Sequence, residues 1–187
     1  LITGAAGFVG SGLAEKLSQD NTIVTIDNTS TGYESNLPEG VIFYKGDCAD
    51  KDLMEEIFEE HSFSSILHIA GQSSGDISFD SPEYDLSTNT LSTLLLLDQC
   101  KKREIKKFIY ASTMSVYGDS HKPCSEESIC HPKSFYGVGK LASEKYLDIY
   151  RQEYGIDTIA IRLFNIYGPG SGEQACGDIG EGRLAEP

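Results

Sequence analysis

Within its first 18 residues the chain passes from an apolar strand through a glycine-rich turn into a helix, and this order restricts the fold more than any other feature. Leu1–Thr3 reads as a strand, Thr3-Gly4-Ala5-Ala6-Gly7-Phe8-Val9-Gly10 as the turn, and Phe8–Ser18 as the helix. The alternation then continues. Strands are predicted at Thr22–Asp27, Val41–Lys45, Ser65–Ile69, Lys107–Ser112 and Thr158–Phe164, with helices at Lys51–Glu60, Tyr84–Arg103 and Tyr136–Tyr154. Strand, helix, strand implies parallel pairing, and right-handed crossovers put helices on both faces of a single sheet. The expected fold is therefore α/β, a doubly wound parallel sheet of the Rossmann type. The first strand is short before its turn, so a few residues are expected to precede it. At the other end, Ser171–Pro187 is Gly-rich and acidic with no hydrophobic period. It is expected to be loop or disordered.

Composition narrows the partners. Fifteen Lys+Arg stand against 29 Asp+Glu in 187 residues, a net charge of −14, which argues against nucleic acid and anionic membrane surfaces. The longest aliphatic run, Leu94–Leu97, falls far short of the roughly 18 apolar residues of a membrane span. Five cysteines, an odd number without a C-x-x-C pair, read as small thiols in a reducing cytoplasm. No metal is expected.

The glycine turn carries a chemical expectation. Gly4 and Gly7 let the backbone turn tightly and approach a pyrophosphate, Gly10 lets helix pack on strand, and the N–H groups around Phe8 and Val9 face the anion. Asp27 ends the second strand 23 residues past Gly4, near the roughly 20-residue spacing of an acid that accepts from the adenosine ribose, with Asn28 beside it. No Lys or Arg lies between Asn28 and Gly40 to meet a 2′-phosphate, so NAD is favoured over NADP. Asp47 and Cys48 follow the third strand where an adenine amino group would be met, although Asp47 also reads as an ordinary turn aspartate.

Tyr136 and Lys140 stand four residues apart, on one face of the predicted helix. The cation favours the phenolate, which a phenol with an ordinary pKa of about 10 needs if it is to act as a base near neutrality. The fifth strand ends in Ala111-Ser112-Thr113-Met114-Ser115-Val116-Tyr117-Gly118, at the sheet edge where ligands of open parallel sheets bind. A hydroxyl there could share a hydrogen bond with the phenol and a substrate oxygen, or simply satisfy the backbone.

Together with Pro132-Lys133-Ser134-Phe135-Tyr136 and Arg162-Leu163-Phe164-Asn165-Ile166-Tyr167-Gly168-Pro169-Gly170, these motifs resemble the extended short-chain dehydrogenase/reductases that act on nucleotide sugars, the NAD-dependent epimerase/dehydratase family. The resemblance implies Tyr136 as base, Lys140 as its partner and ribose ligand, and Thr113 as the hydroxyl bridging to the sugar. It implies that Asn89 organises the site and that Asn165 meets the substrate diphosphate. His68-Ile69-Ala70-Gly71-Gln72-Ser73-Ser74 is similar to the segment flanking pyrophosphate and nicotinamide. Ile69, Ala70 and Gly71 would lie on the cofactor and Gln72 and Ser73 towards substrate, while His68 reads as a satisfied core histidine. The family's 4,6-dehydratases follow the Thr113 position with Asp-Glu and its decarboxylases keep the Glu, whereas this chain has Met114 and Ser115. A 4-epimerase on a UDP-hexose is therefore implied. Gln72-Ser73-Ser74 resembles dehydratases and decarboxylases more, which keeps those as the alternative, and a non-catalytic NAD-binding fragment or sensor as the second. The resemblance further implies a homodimer through the helices Tyr84–Arg103 and Tyr136–Tyr154. It also implies a C-terminal region that closes over the sugar, so this chain is expected to bind NAD with weak or absent catalysis.

Overall fold

A computed structural model describes residues 1–120 and 123–168. Six strands, β1 (Ile2–Thr3), β2 (Val24–Asp27), β3 (Ile42–Lys45), β4 (Ser65–His68), β5 (Lys107–Thr113) and β6 (Asp157–Leu163), form one sheet in the order β3-β2-β1-β4-β5-β6. Every pairing is parallel, with Ile2 opposite Thr25 on one side and Leu67 on the other. This is the Rossmann order, and the direction of winding reverses between β1 and β4. Because all strands run the same way, every loop that leaves a strand end emerges at one edge. The predicted site residues lie along that edge.

The helices are α1 (Phe8–Leu17), α2 (Lys51–Glu60), α3 (Gly75–Asp80), α4 (Pro82–Leu86), α5 (Ser92–Lys102) and α6 (Phe135–Tyr154). Local chemistry sets their ends. The Asp50 side chain accepts from the N–H groups of Asp52 and Leu53 to start α2, and Ser134 accepts from Gly137 N–H to start α6. Gly155, at φ 65°, takes the left-handed conformation that closes α6. A large core joins Met54, Ile57 and Phe58 of α2, Leu96, Leu97 and Cys100 of α5, and Leu147 of α6 with Ile26, Ile66, Phe108 and Tyr110 of the sheet. On the opposite face, Ala14 and the half-buried Leu13 and Leu17 of α1 pack with Ile2, Leu67 and Ile69.

Several elements depart from the sequence reading, among them the 3₁₀ turn Glu34–Asn36, for which no element is predicted. The predicted helix Tyr84–Arg103 starts at Pro82 and contains a five-residue π turn, Ser87–Leu91, between α4 and α5. There the Asn89 carbonyl accepts three side-chain hydroxyls, from Thr93 at 3.0 Å, Tyr110 at 3.3 Å and Ser143 at 2.7 Å. Such competing hydroxyls, two of them distant along the chain, leave no trace in hydrophobic periodicity. Two short pieces, α3 and the 3₁₀ turn Met114–Tyr117, are capped by Ser74 and Thr113 and are too brief to carry a period. The expectation for 171–187, and the Pro169-Gly170 end of the last motif, lie outside the described residues.

His68 is fully buried in β4. Its Nδ1 lies 2.7 Å from Thr3 Oγ1 and its Nε2 3.2 Å from Ser92 Oγ, so both ring nitrogens are partnered within the core. Burial, reinforced by the Lys140 charge, pushes its pKa down to about 3. The folded ring therefore stays neutral while an unfolded ring takes up a proton below its ordinary 6.5. The His68 contribution is complete above pH 6.5 and is lost as pH falls from there towards 3. By pH 4.5 the loss amounts to about 2–3 kcal/mol. Urea denaturation of His68→Gln is expected to show a flatter dependence on pH in that window than the parent chain shows.

Candidate active site

At the β1–α1 turn, Gly4 adopts φ 67°, and a Cβ there would lie 2.6 Å from Ala70 N. A Cβ on Gly10 would fall 2.1 Å from the Gly4 carbonyl oxygen and 2.7 Å from Ala5 Cα. Both obstacles are backbone and cannot swing aside. Gly10→Ala is expected to cost about 1–3 kcal/mol by forcing α1 off the turn, read by urea denaturation, with NAD binding by titration calorimetry weakened in parallel. Gly7 sits at the N-cap of α1 and brings no side-chain acceptor, so the first N–H groups, including those of Phe8 and Val9, have none from a capping side chain.

Asp27 faces this turn. One carboxylate oxygen accepts from Ala6 N at 2.9 Å and the other from Thr29 N at 2.7 Å, which fixes the turn to the end of β2. A carboxylate offers about four lone-pair sites, so two remain for ribose hydroxyls. Asn28 donates to Asp47 at 3.2 Å, and Asp47 also accepts from Ala49 N at 2.8 Å. Cys48 is turned into the large core, and burial raises its thiol to about 12. Gly32 was not singled out in the sequence. A Cβ on it would meet the Ala6 carbonyl carbon at 2.5 Å, while the neighbouring Tyr33 N and Asn36 Nδ2 donate to the Ala6 oxygen. The stretch Asn28–Gly32 reads as a plain polar turn, so only the fold reveals this close approach.

Across the winding reversal, Thr113, Tyr136 and Lys140 come together, all buried. Thr113 Oγ1 accepts from Ser115 N at 3.1 Å. Burial holds the Tyr136 phenol above its ordinary range, with a hydrogen bond to Thr113 pulling the other way. Lys140 Nζ lies 5.9 Å from the Tyr136 ring centroid and 4.9 Å from that of Tyr110, and it donates to the Ala111 carbonyl at 3.0 Å. Burial lowers its pKa to about 8. The ammonium is thus anchored at the end of β5 beside the Tyr136 ring, and desolvation is the largest influence on the phenol.

Ile69, Ala70 and Gly71 run past the glycine turn, but Gln72 is turned inward. Its amide nitrogen donates to Ser74 O at 2.6 Å and to Asp85 at 3.0 Å, and its oxygen accepts from Ser74 N. Gln72 therefore fastens its own loop instead of facing the cleft, whereas Ser73 is exposed. Asn89 donates to the Gln72 carbonyl and to Asp85, each at 3.0 Å. Its Oδ1 is buried without a partner among the described residues, and a Cβ on Gly71 would run into it. Asn165, just past β6, is exposed.

Beyond Thr113 a cleft of about 550 Å³ opens, lined by Asp76, Phe79, Met114, Tyr117, Lys133 and Phe164 among others. Behind it lies an ion pair that the sequence reading missed. Arg162 grips Glu144 through Nε at 3.0 Å and Nη2 at 2.7 Å, and its Nη1 donates to Tyr117 Oη at 2.9 Å. Ser112 donates to the same Glu144. Glu144 follows Lys140 by four residues on α6, but that spacing points to Lys140 and not to Arg162, which is its partner.

A match to the family model described as "NAD dependent epimerase/dehydratase family" covers residues 1–179. The chain belongs to the NAD-dependent epimerase/dehydratase family. It is 36% identical over 172 residues to a putative UDP-glucose 4-epimerase of Methanocaldococcus jannaschii, covering 90% of this chain and 56% of that protein. To a dTDP-D-glucose 4,6-dehydratase of Dictyostelium discoideum it is 34% identical, covering 90% of this chain and 44% of the other. The crystal structure of the Thermus thermophilus UDP-glucose 4-epimerase in complex with NAD superposes with a TM-score of 0.87 at 35% identity, over 93% of this chain and 58% of that one. The chain thus spans about half the length of the curated relatives it matches. NAD is the cofactor of the family, and the residues present fit it. Gly4, Gly10 and Gly32 keep the turn free of Cβ atoms, Asp27 keeps lone pairs to spare, and the orphaned Asn89 oxygen and Lys140 Nζ border Gly71. No group of three or more His, Cys, Asp or Glu among the described residues is placed to hold a metal ion, and no helix among them is long and apolar enough to cross a membrane.

Proposed function

We propose that the chain is the cofactor-binding domain, 1–170, with the opening of the substrate region, 171–187, of a cytoplasmic nucleotide-sugar 4-epimerase acting on a UDP-hexose. Tyr136 takes the proton of the sugar 4-hydroxyl, Thr113 shares a hydrogen bond with that oxygen, and Lys140 supplies the neighbouring cation and a donor to ribose. NAD, when bound, accepts a hydride from the sugar and returns it. Glycine-turn N–H groups hold the pyrophosphate, Asp27 and Asn28 the adenosine ribose, and the Asp47–Cys48 backbone the adenine. Ile69–Gly71 line the nicotinamide side, Asn89 orders it, and Ser73 and Asn165 stand towards the sugar nucleotide.

The observation carrying the epimerase reading is Met114. It follows Thr113 into the cleft and is 39% exposed there, where elimination of water needs an acid or a base. Neither it nor Ser115 can supply one near neutral pH, and epimerisation requires none beyond Tyr136. A dehydratase or decarboxylase is the second reading, because Asp76 places a carboxylate on another wall of the same cleft. Incubation of the chain with NAD and UDP-hexoses, following C4 stereochemistry by NMR and NADH by absorbance, separates them. An epimer without net NADH is expected, and a 6-deoxy or decarboxylated 4-keto product would move the assignment to the second reading. NAD binding without any change in the sugar would leave a cofactor-binding fragment or sensor.

A homodimer is part of the proposal. Leu97 is committed to the core, but Leu86 and Leu91 are exposed and share a groove of about 400 Å³ with Leu94 and Tyr146, between α4, α5 and α6. Sedimentation is expected to give a dimer at micromolar concentration, and Leu91→Glu to give a monomer.

A further inference from the structure

Asp85 lies on α4 with 1% of its surface exposed, and no step proposed above uses it. Its Oδ1 accepts from Gln72 Nε2 and from Asn89 Nδ2, each at 3.0 Å. Its Oδ2 faces α6, where a Cβ on Gly139 would come within 3.3 Å of it and 3.1 Å of Thr90 Oγ1. Gly139 is thus the residue that lets α6 close on this carboxylate, and Lys140 follows it directly. A Cβ on Gly71 would lie 3.0 Å from Lys140 Nζ and run into Asn89 Oδ1, while the Asn89 amide nitrogen donates to Asp85, so the ammonium stands across Asn89 from the carboxylate. Burial holds the Asp85 carboxyl above its ordinary range, and the Gln72 and Asn89 donors and the Lys140 charge oppose that. Five titratable groups surround Lys140: Cys48 from the loop after β3, His68 from β4, Asp85 from α4, Tyr110 from β5 and Tyr136 from α6. Asp85 is the sole carboxylate of these five.

We propose that Asp85 is a positioning residue for the Tyr136–Lys140 pair: it binds Gln72 and Asn89 into one unit against Gly139 and supplies the buried counter-charge that keeps Lys140 an ammonium. The arrangement explains why Gln72 faces away from the cleft. Its amide is a donor to Asp85, and together with Asn89 it satisfies an oxygen that burial would otherwise leave costly. It also explains how a fully buried lysine stays cationic. Burial alone favours the neutral amine, and a neighbouring opposite charge opposes that. Lys140 is held at about 8, and loss of the Asp85 charge lowers it further while removing the carboxylate that helps hold the Tyr136 phenol up, so both members of the pair shift.

The proposal rests on the reading of Tyr136 and Lys140 as the working pair, but its test needs neither cofactor nor sugar. NMR of the chain carrying 13C,15N-labelled lysine follows the Lys140 titration, with Lys140→Met identifying the signal. In Asp85→Asn, which keeps the shape and removes the charge, the Lys140 midpoint is expected to fall by about one pH unit or more. An unmoved midpoint overturns the proposal, since a purely structural role would alter stability and leave that titration where it is. Should Asp85→Asn fail to fold, the double variant with Lys140→Met is the second measurement. Removal of both charges is expected to restore most of the lost urea midpoint, and a double variant no more stable than the single one overturns the pairing. A panel of UDP-hexoses that gives no turnover, with the Lys140 shift present, sinks the functional reading alone. Turnover with an unmoved Lys140 sinks this inference alone.

Discussion

Tyr136→Phe is expected to lower sugar turnover by about 10²–10⁴-fold, the usual worth of a positioned proton acceptor, while leaving NAD affinity and thermal stability close to those of the parent. The ring stays in a pocket that already excludes water, so the packing around it is retained. What disappears is the oxygen that hydrogen-bonds Thr113 and that is proposed to receive the substrate proton. Burial raises the phenol in the cofactor-free chain, so the pH–rate profile should carry an acidic limb set by Tyr136 ionisation, absent from the residual rate of the variant. Comparing kcat and NAD affinity on the same preparations checks this. A loss of NAD binding in step with kcat would mean that the phenol serves the fold and not the proton.

Glu144→Ala is expected to destabilise the chain by about 3–5 kcal/mol, the cost of leaving one partner of a buried ion pair uncompensated. Glu144 is 7% exposed at its side chain, and it meets the Arg162 guanidinium at two oxygens while accepting from Ser112. Its removal strands Arg162 of β6 in a half-buried setting and frees the residue preceding Thr113. Urea denaturation measures the first effect. Replacing both charges, in Glu144→Met with Arg162→Met, should recover much of the loss, because the penalty belongs to the unpaired charge more than to the absent bond. Recovery of stability without recovery of turnover would assign the pair a part in holding Thr113.

The sheet and its order were legible because strands and crossover helices differ in hydrophobic period, and a parallel sheet admits few windings of that alternation. The glycine turn and the Tyr136–Lys140 spacing were legible for a related reason, since each lies within one local element. Gly32 and Glu144 were harder to see. Their roles come from contacts with Ala6 and Arg162, which are distant along the chain and adjacent only after the sheet has formed. Gln72 shows the opposite case. Its position in the fourth-strand segment is plain from sequence, yet the direction of its amide is decided by Asp85 on α4. The π turn escaped for a third reason, because hydroxyls from α5, β5 and α6 competing for one carbonyl carry no sequence period.

That π turn has a bearing on how the chain tolerates change. An α-helix advances about 100° per residue, so one additional residue in a turn shifts the phase of everything after it. The segment from Pro82 to Lys102 thereby presents two stripes that an unbroken helix would not align. Asp85 and Asn89 look towards the sheet edge, while Leu96, Leu97 and Cys100 look into the core. Deleting a single residue between Ser87 and Leu91 would rotate one stripe away from its partners, whichever of the five positions is removed. The spacing of those five residues works as a phase setting, and it makes the length of this segment as constrained as the identity of its side chains.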